Sequence, residues 1–299
     1  MILKSTRYGP IYPIGITKFF LIGCFMLLIL QNVFADFPVE QPGSRAAAMG
    51  YSVTAFNDPW SLFYNQAGLS YVENPWIGIH HENRFLSPDL NFSAIGGILP
   101  VRVGALGLSV KRLGFSQFSQ SKLALAYGMK LAPTLSAGIQ LNAHHVYIAG
   151  EYGSALVLSA EGGILYSPTE NLAIGFHVVN PTRSKIIEDQ RIPTVFNLGL
   201  AYQLSDMVLI APGVESNLGA NTSFKLGIEF IPIKGLSFRA GMASEPSLFS
   251  LGVGYQISSL QMDIAFTRHE ILGYTPHFSV SYRFKDRQES GESAVNSRQ

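Results

Sequence analysis

Two adjacent histidine pairs, His80-His81 and His144-His145, are the first candidates for metal or acid–base chemistry in this sequence. Both fall in alternating segments. Neighbours on a strand point to opposite faces, so neither pair can hold one ion from one side. A site shared between two strands stays open. Glu161, Glu229 and Asp263 lie on the same parity as several Lys and Arg residues, which reads as a salt-bridged polar wall. There is no G-x-S-x-G elbow, no phosphate loop and no H-E-x-x-H pair. Gly252-x-Gly254 lacks a third glycine and sits in a strand pattern. The single cysteine, Cys24, excludes a disulfide framework and a Cys-rich metal centre. These residues point to no enzyme, no cofactor and no dedicated metal ligands.

Composition narrows the class. The 299 residues carry 21 Lys+Arg against 20 Asp+Glu, a net charge of +1. That removes the basic footprint of a nucleic-acid binder. Charged residues are 14%, against about 25% in ordinary soluble domains. Mean hydropathy is +0.21. Small and uncharged polar residues, with 29 Gly among them, stand where charge is usual. No segment after the first forty residues approaches the roughly 18 uninterrupted apolar residues of a helical span.

The N-terminus reads as an export leader. Lys4, Arg7 and Lys18 precede the apolar run Phe19 to Leu30, and Val33-Phe34-Ala35 supplies a cleavage site. A signal peptide over residues 1–35 is expected, which would leave 264 residues (299 − 35) and remove Cys24.

From residue 76 the pattern has period two. His277 to Phe284 places large apolar residues at even positions and polar ones at odd positions. Leu260 to Thr267, Phe224 to Phe230, Phe196 to Gln203 and Leu172 to Val178 do the same. Each such segment is a strand with one oily face. About fourteen are predicted, over 76–84, 89–99, 102–112, 121–131, 134–147, 154–166, 171–179, 193–204, 206–215, 222–231, 235–243, 247–257, 259–268 and 276–284. Gly96-Gly97 blurs the second and Pro212 the ninth. Tight turns alternate with longer connections, the longest being Asn180 to Ile192, as expected of a transmembrane β-barrel.

Charge parity sets the orientation. Lys111, Lys130, Glu161, Lys225, Glu229, Arg239, Asp263 and Arg283 all lie on the small or polar face. A charge on the lipid face of a barrel costs about 2–4 kcal/mol at the midplane. The oily faces are therefore expected to meet membrane lipid and the charges to line an enclosed lumen. The inner face, rich in Gly, Ala and Ser, leaves room for a plug and shows few large apolar residues. Gly163-x-x-Tyr166, Gly199-x-x-Tyr202, Gly227-x-x-Phe230 and Gly252-x-x-Tyr255 form a weak repeat whose aromatics suit an interfacial girdle. The last strand, with Phe278, Val280, Tyr282 and Phe284, resembles the C-terminal signal read by the barrel-assembly machinery. A polar tail, 285–299, follows and is expected to be disordered.

Residues 36–75 do not alternate. They hold Gly43-x-Arg45-Ala46-x-x-Met49-Gly50, then Asn57-Asp58-Pro59, then Asn65-Gln66-Ala67-Gly68-Leu69. This succession resembles the start of the long-chain fatty acid transporter (FadL) superfamily, and is most similar to its PorV/PorQ-type members associated with type IX secretion. The resemblance implies a fourteen-stranded outer-membrane barrel with a short hatch inside the lumen, shaped by Asn57, Asp58, Pro59, Asn65, Ala67 and Gly68. Gln66 departs from the family proline. The resemblance implies a secretion component or surface-protein adaptor with secretion-system partners, and the charged 180–192 loop would suit docking. The wider superfamily implies instead a passage for hydrophobic ligands, for which Phe56, Trp60, Leu62, Phe63 and Tyr64 would supply a lining.

Overall fold

The computed structural model describes residues 41–150, 153–187, 190–219 and 221–284. The expected leader and tail lie outside the described residues. Fourteen strands close into one antiparallel barrel. They are β1 (Trp76–Asn83), β2 (Asn91–Pro100), β3 (Ala105–Gly114), β4 (Phe118–Ala132), β5 (Leu135–Ile148), β6 (Gly153–Thr169) and β7 (Leu172–Val179). After the two-stranded ribbon of β8 (Lys185–Ile187) and β9 (Gln190–Arg191) come β10 (Val195–Ser205), β11 (Val208–Asn217), β12 (Thr222–Ile233) and β13 (Leu236–Ser244). The last three are β14 (Ser247–Ile257), β15 (Leu260–His269) and β16 (Gly273–Arg283). The barrel shuts by pairing β1 with β16, from Trp76↔Arg283 to Glu82↔His277. Both ends of the barrel therefore meet at one rim.

The alternation of the sequence becomes an alternation of environment. On β15, Met262, Ile264 and Phe266 are exposed on the outer wall, while Asp263, Ala265 and Thr267 are buried inside. Tyr166, Tyr202, Phe230, Tyr255 and Tyr282 stand outward near the rim of short turns. Such a wall, apolar outside and closed at every edge, is stable against hydrocarbon and not against water. Among the described residues no helix is long and apolar enough to cross a membrane.

Two details differ from the sequence expectation. The rims are less unequal than the pattern suggests, because β4 begins at Phe118 and β16 at Gly273, three residues before the alternation starts. Only 84–90 and 180–194 remain as long connections, and the second folds its own ribbon. Pro212 sits within β11, where the pairing with β10 is interrupted between Gly199↔Gly213 and Tyr202↔Ile210. The missing N–H is thereby taken out of the ladder on that side, while Pro212 keeps its register with Leu226 of β12.

The outer wall predicts its own test. Leu251→Arg, at an exposed mid-strand position of β14, should lower the unfolding free energy in phospholipid vesicles by about 2–4 kcal/mol. Leu218→Arg, beyond the end of β11, should change it by about 0–1 kcal/mol in the same denaturant titration.

Candidate functional site

Residues 41–75 run inside the barrel as a short helix α1 (Ser44–Ala48) and two 3-10 turns, Pro59–Phe63 and Gln66–Tyr71. Their side chains are almost wholly buried, with Leu62, Asn65, Gln66, Ala67 and Leu69 at 0% exposure. Segments this short do not hold themselves together in water. They are held by the wall.

The wall makes room by leaving out side chains. Each of twelve barrel strands contributes one glycine whose absent Cβ would strike this inner segment or a side chain packed on it. Gly128 and Gly138 abut the Gln66 backbone, Gly163 abuts Asn65, Gly175 abuts Thr54 and Gly227 abuts Met49. Several face one another directly, as in Gly128↔Gly138↔Gly163 and Gly175↔Gly199↔Gly213. The two strands without such a glycine offer Ala265, packed on Ala47 and Ala48, and Ser279, whose Oγ accepts from Ser44 N at 3.1 Å. The result is a belt of small residues around the whole circumference, on which the inner segment is seated.

Polar contacts fix its register. Asn65 caps the second 3-10 turn by accepting from Ala67 N at 3.2 Å, and its amide donates to Thr54 O and Ile164 O at 2.7 and 3.3 Å. Gln66 takes the first position of that turn, where proline is favoured. Its amide donates to Gln140 Oε1 at 3.3 Å, a wall contact that proline could not make. Gly68 packs where a Cβ would meet Ser61 and the Phe56 carbonyl. Pro59 opens the first turn behind Asp58. Asn57 alone of the six expected hatch residues is exposed, with no hydrogen bond among the described residues.

An ion network ties α1 to the wall. Arg45 Nε and Nη2 donate to both oxygens of Glu229 at 3.0 and 2.5 Å, and Nη1 donates to Asp58 at 2.5 Å. Arg239 donates to Glu229 at 2.6 Å and to Asp263 at 2.5 Å. Burial works against the Arg45 charge, but Glu229 and Asp58 outweigh it and hold the guanidinium above its ordinary value. Tyr64 donates to Asp58 at 2.5 Å. Burial, reinforced by Asp58, pushes its phenol well up, so it stays a donor. Arg283, exposed at the rim, faces this network across a polar pocket of about 250 Å³ that also touches Gln261 and Trp60.

The other expected lumen charges lie apart from it. Glu161 is buried with Lys122, His177 and Asn142 around it, and Lys111 is buried nearby on β3. Lys225 pairs with Glu215 at 2.7 Å. Lys130 lies at the rim with its ammonium 4.5 Å above the Tyr71 ring. Lys122 and Lys130 share one parity along β4, so the pattern that singled out one could have found the other. Arg45 belonged to a recognised motif, but nothing in the spacing named Glu229 as its partner. Phe278, Val280 and Tyr282 are outward and exposed on β16, and Phe284, one residue beyond, packs edge-on against Tyr282 at 4.9 Å. The histidine pairs split as the alternation requires: His80 is buried and His81 exposed, His144 bonds Ser159 inside and His145 is exposed.

The inner face is more apolar than the sequence suggested. Trp76, Phe92, Ile98 and Leu113 of β1–β3 are buried inside and share a core with Trp60, Leu62 and Phe63. Trp60 stands edge-on to Trp76 at 5.1 Å. This explains the blurred alternation of β2, which is apolar on both faces.

A closed barrel of this strand number with an inner N-terminal plug has solved counterparts. The fold is that of the FadL-type outer-membrane barrel. The toluene transporter TbuX of Ralstonia pickettii superimposes with a TM-score of 0.68 at 12% identity, over 83% of this chain and 100% of that one. The toluene transporter TodX of P. putida gives 0.62 at 10% identity, over 84% and 100%. A FadL homologue of Pseudomonas aeruginosa gives 0.58 at 14% identity, also over 84% and 100%. No protein-family model matches the sequence, and no curated protein does. Closeness to the PorV/PorQ type thus rests on the motifs of residues 43–69 alone.

Two substitutions probe this FadL-type interior. Gly162 and Gly163 are neighbours on opposite faces of β6, and only Gly163 abuts Asn65. Gly163→Ala should destabilise the barrel by about 1–3 kcal/mol through overpacking and expose Arg45 to trypsin, whereas Gly162→Ala should do neither. Glu229→Gln leaves Arg45 and Arg239 without their shared carboxylate. It should cost about 3 kcal/mol in equilibrium unfolding and release the same tryptic site.

Proposed function

We propose that this protein is an outer-membrane channel for hydrophobic small molecules, closed by its N-terminal hatch. The observation that carries the reading is the apolar strip inside the barrel, where Phe92, Leu113 and Ile98 of the wall meet Trp60, Leu62 and Phe63 of the hatch. With the hatch seated these side chains seal against one another, and a hatch that shifts would bare an apolar face to the lumen. A greasy solute needs such a surface, and a movable element beside it to let the solute pass. The FadL-type fold, shared with proteins described as toluene transporters, supports the same reading. In this account the Arg45–Asp58–Glu229 cluster is the latch that holds the hatch on the glycine belt. Phe278, Val280, Tyr282 and Phe284 then serve as the signal for barrel assembly. No structural observation favours the secretion-adaptor reading.

The test uses the hatch itself. Ser70 Oγ and Ser136 Oγ lie 2.9 Å apart, one on the hatch and one on β5, and the only native cysteine is Cys24. The double substitution Ser70→Cys/Ser136→Cys should cross-link hatch to wall under oxidising conditions. Uptake of labelled toluene or oleate by cells carrying the oxidised variant should fall to the level of a deletion strain and recover on reduction. Unchanged uptake on deletion, together with a defect in protein secretion, would overturn the channel reading in favour of the adaptor.

A further inference from the structure

Three buried side chains converge on the inner wall away from the latch. His80 and Glu82 lie two residues apart on β1, hence on one face, and His277 lies on β16 directly opposite Glu82. All three are 5% exposed or less. His80 Nε2 lies 3.1 Å and His277 Nδ1 2.8 Å from the same atom, Glu82 Oε2, and the three atoms fall within 4.8 Å of one another. No other group of His, Cys, Asp or Glu among the described residues converges in this way.

We propose that His80, Glu82 and His277 bind a divalent transition-metal ion of the zinc type, which staples the first barrel strand to the last. Two imidazoles and one carboxylate are a borderline-soft ligand set that suits Zn²⁺ and its neighbours over Mg²⁺ or Ca²⁺. Ligand atoms on a tetrahedral ion with bonds of about 2.0–2.1 Å sit about 3.4 Å apart, so small side-chain rotations bring these three into place.

The surroundings prepare the ligands. Arg84 Nε donates to the other oxygen of Glu82 at 2.6 Å, leaving Oε2 as a single ligand atom. Thr267 Oγ1 lies 3.0 Å from His277 Nε2. A proton on Nε2 donated to that hydroxyl frees Nδ1 to bind the ion, the outer-shell arrangement typical of metal-bound histidine. His277 Nδ1 is buried and makes no aligned hydrogen bond despite its distance from Glu82. A lone pair or N–H left so in a closed wall is a group awaiting a partner. Binding would displace the proton that His80 Nε2 now shares with Glu82 Oε2. Three protein ligands leave a fourth position for water from the lumen. Phe92, whose ring is 5.9 Å from that of His80, supplies an apolar flank.

Metal content decides the matter. The full chain, folded in detergent, stripped with chelator, incubated with Zn²⁺ and desalted, should retain about one equivalent. His277→Gln and Glu82→Gln should each retain less than about a tenth of that. His81→Gln, on the outer face of the same strand, should match the parent. Co²⁺ in place of Zn²⁺ should give the visible absorption of a four-coordinate site in the parent and in His81→Gln only. Zn²⁺ should also raise the thermal unfolding midpoint of the parent, a measurement that needs no variant to fold. A parent protein that retains no ion and shows no shift overturns the proposal, as does retention by His277→Gln or loss in His81→Gln.

Discussion

The structure depends on the close approach of one irregular stretch of main chain to a wall that has no side chains where they meet. Close packing is sensitive to a single methyl group. Twelve inward glycines around the wall therefore amount to a mould for residues 41–75. The backbone groups of an irregular segment in a closed lumen must find partners inside the protein. The mould lets Ser250 and Ser279 reach them: Ser250 Oγ donates to Ala48 O at 2.9 Å and accepts from Gly50 N at 3.1 Å. The short helix and two 3-10 turns have no independent stability and exist because this surface fits them.

The same constraint orders the charges. Outside the wall a charge has no partner and no water, so the ion pairs are inside. They are not spread evenly. One network joins the hatch to β12, β13 and β15, and another surrounds Glu161 on β4–β7. In the arc between them, β1–β3 present aromatic and aliphatic side chains to the hatch. The hatch thus meets both ionic and oily stretches of the wall. An element held by charge on one flank and by apolar contact on the other can loosen at the first while staying seated at the second.

Period two made the barrel legible because lipid on one face and packed interior on the other enforce it. The predicted 247–257 coincides with β14, and 222–231 falls two residues short of β12. The pattern failed where that enforcement lapses. Phe118 to Gln120 and Gly273 to Thr275 extend their strands beyond the alternating stretch, and β2 is apolar on both faces. The glycine repeat was visible, but its meaning was half read. In Gly163-x-x-Tyr166 the two residues lie on opposite faces, so the aromatic stands outward near the rim and the glycine seats the hatch. Partners across the barrel were beyond reach, since strand parity tells which face a residue takes and not its height. Arg45 and Glu229, 184 residues apart, meet only once shear and register are set.

Closure of the barrel brings the remaining features together. Pairing β1 with β16 is the one strand contact that joins the two ends of the barrel sequence. Loop-closure entropy grows with the chain enclosed, so this seam is the most expensive pairing to form. The seam carries more than ladder bonds. Glu82 bridges from β1 to His277 of β16, Phe284 N donates to Pro75 O at 2.9 Å, and Phe85 N donates to Thr275 Oγ1 at 3.0 Å. The hatch enters β1 at the same rim, with Trp60 against Trp76. A chain that must close on itself around its own N-terminal segment gains most from contacts that form only when both ends and the hatch are in place. Side chains at this seam therefore report closure of the wall and seating of the plug together.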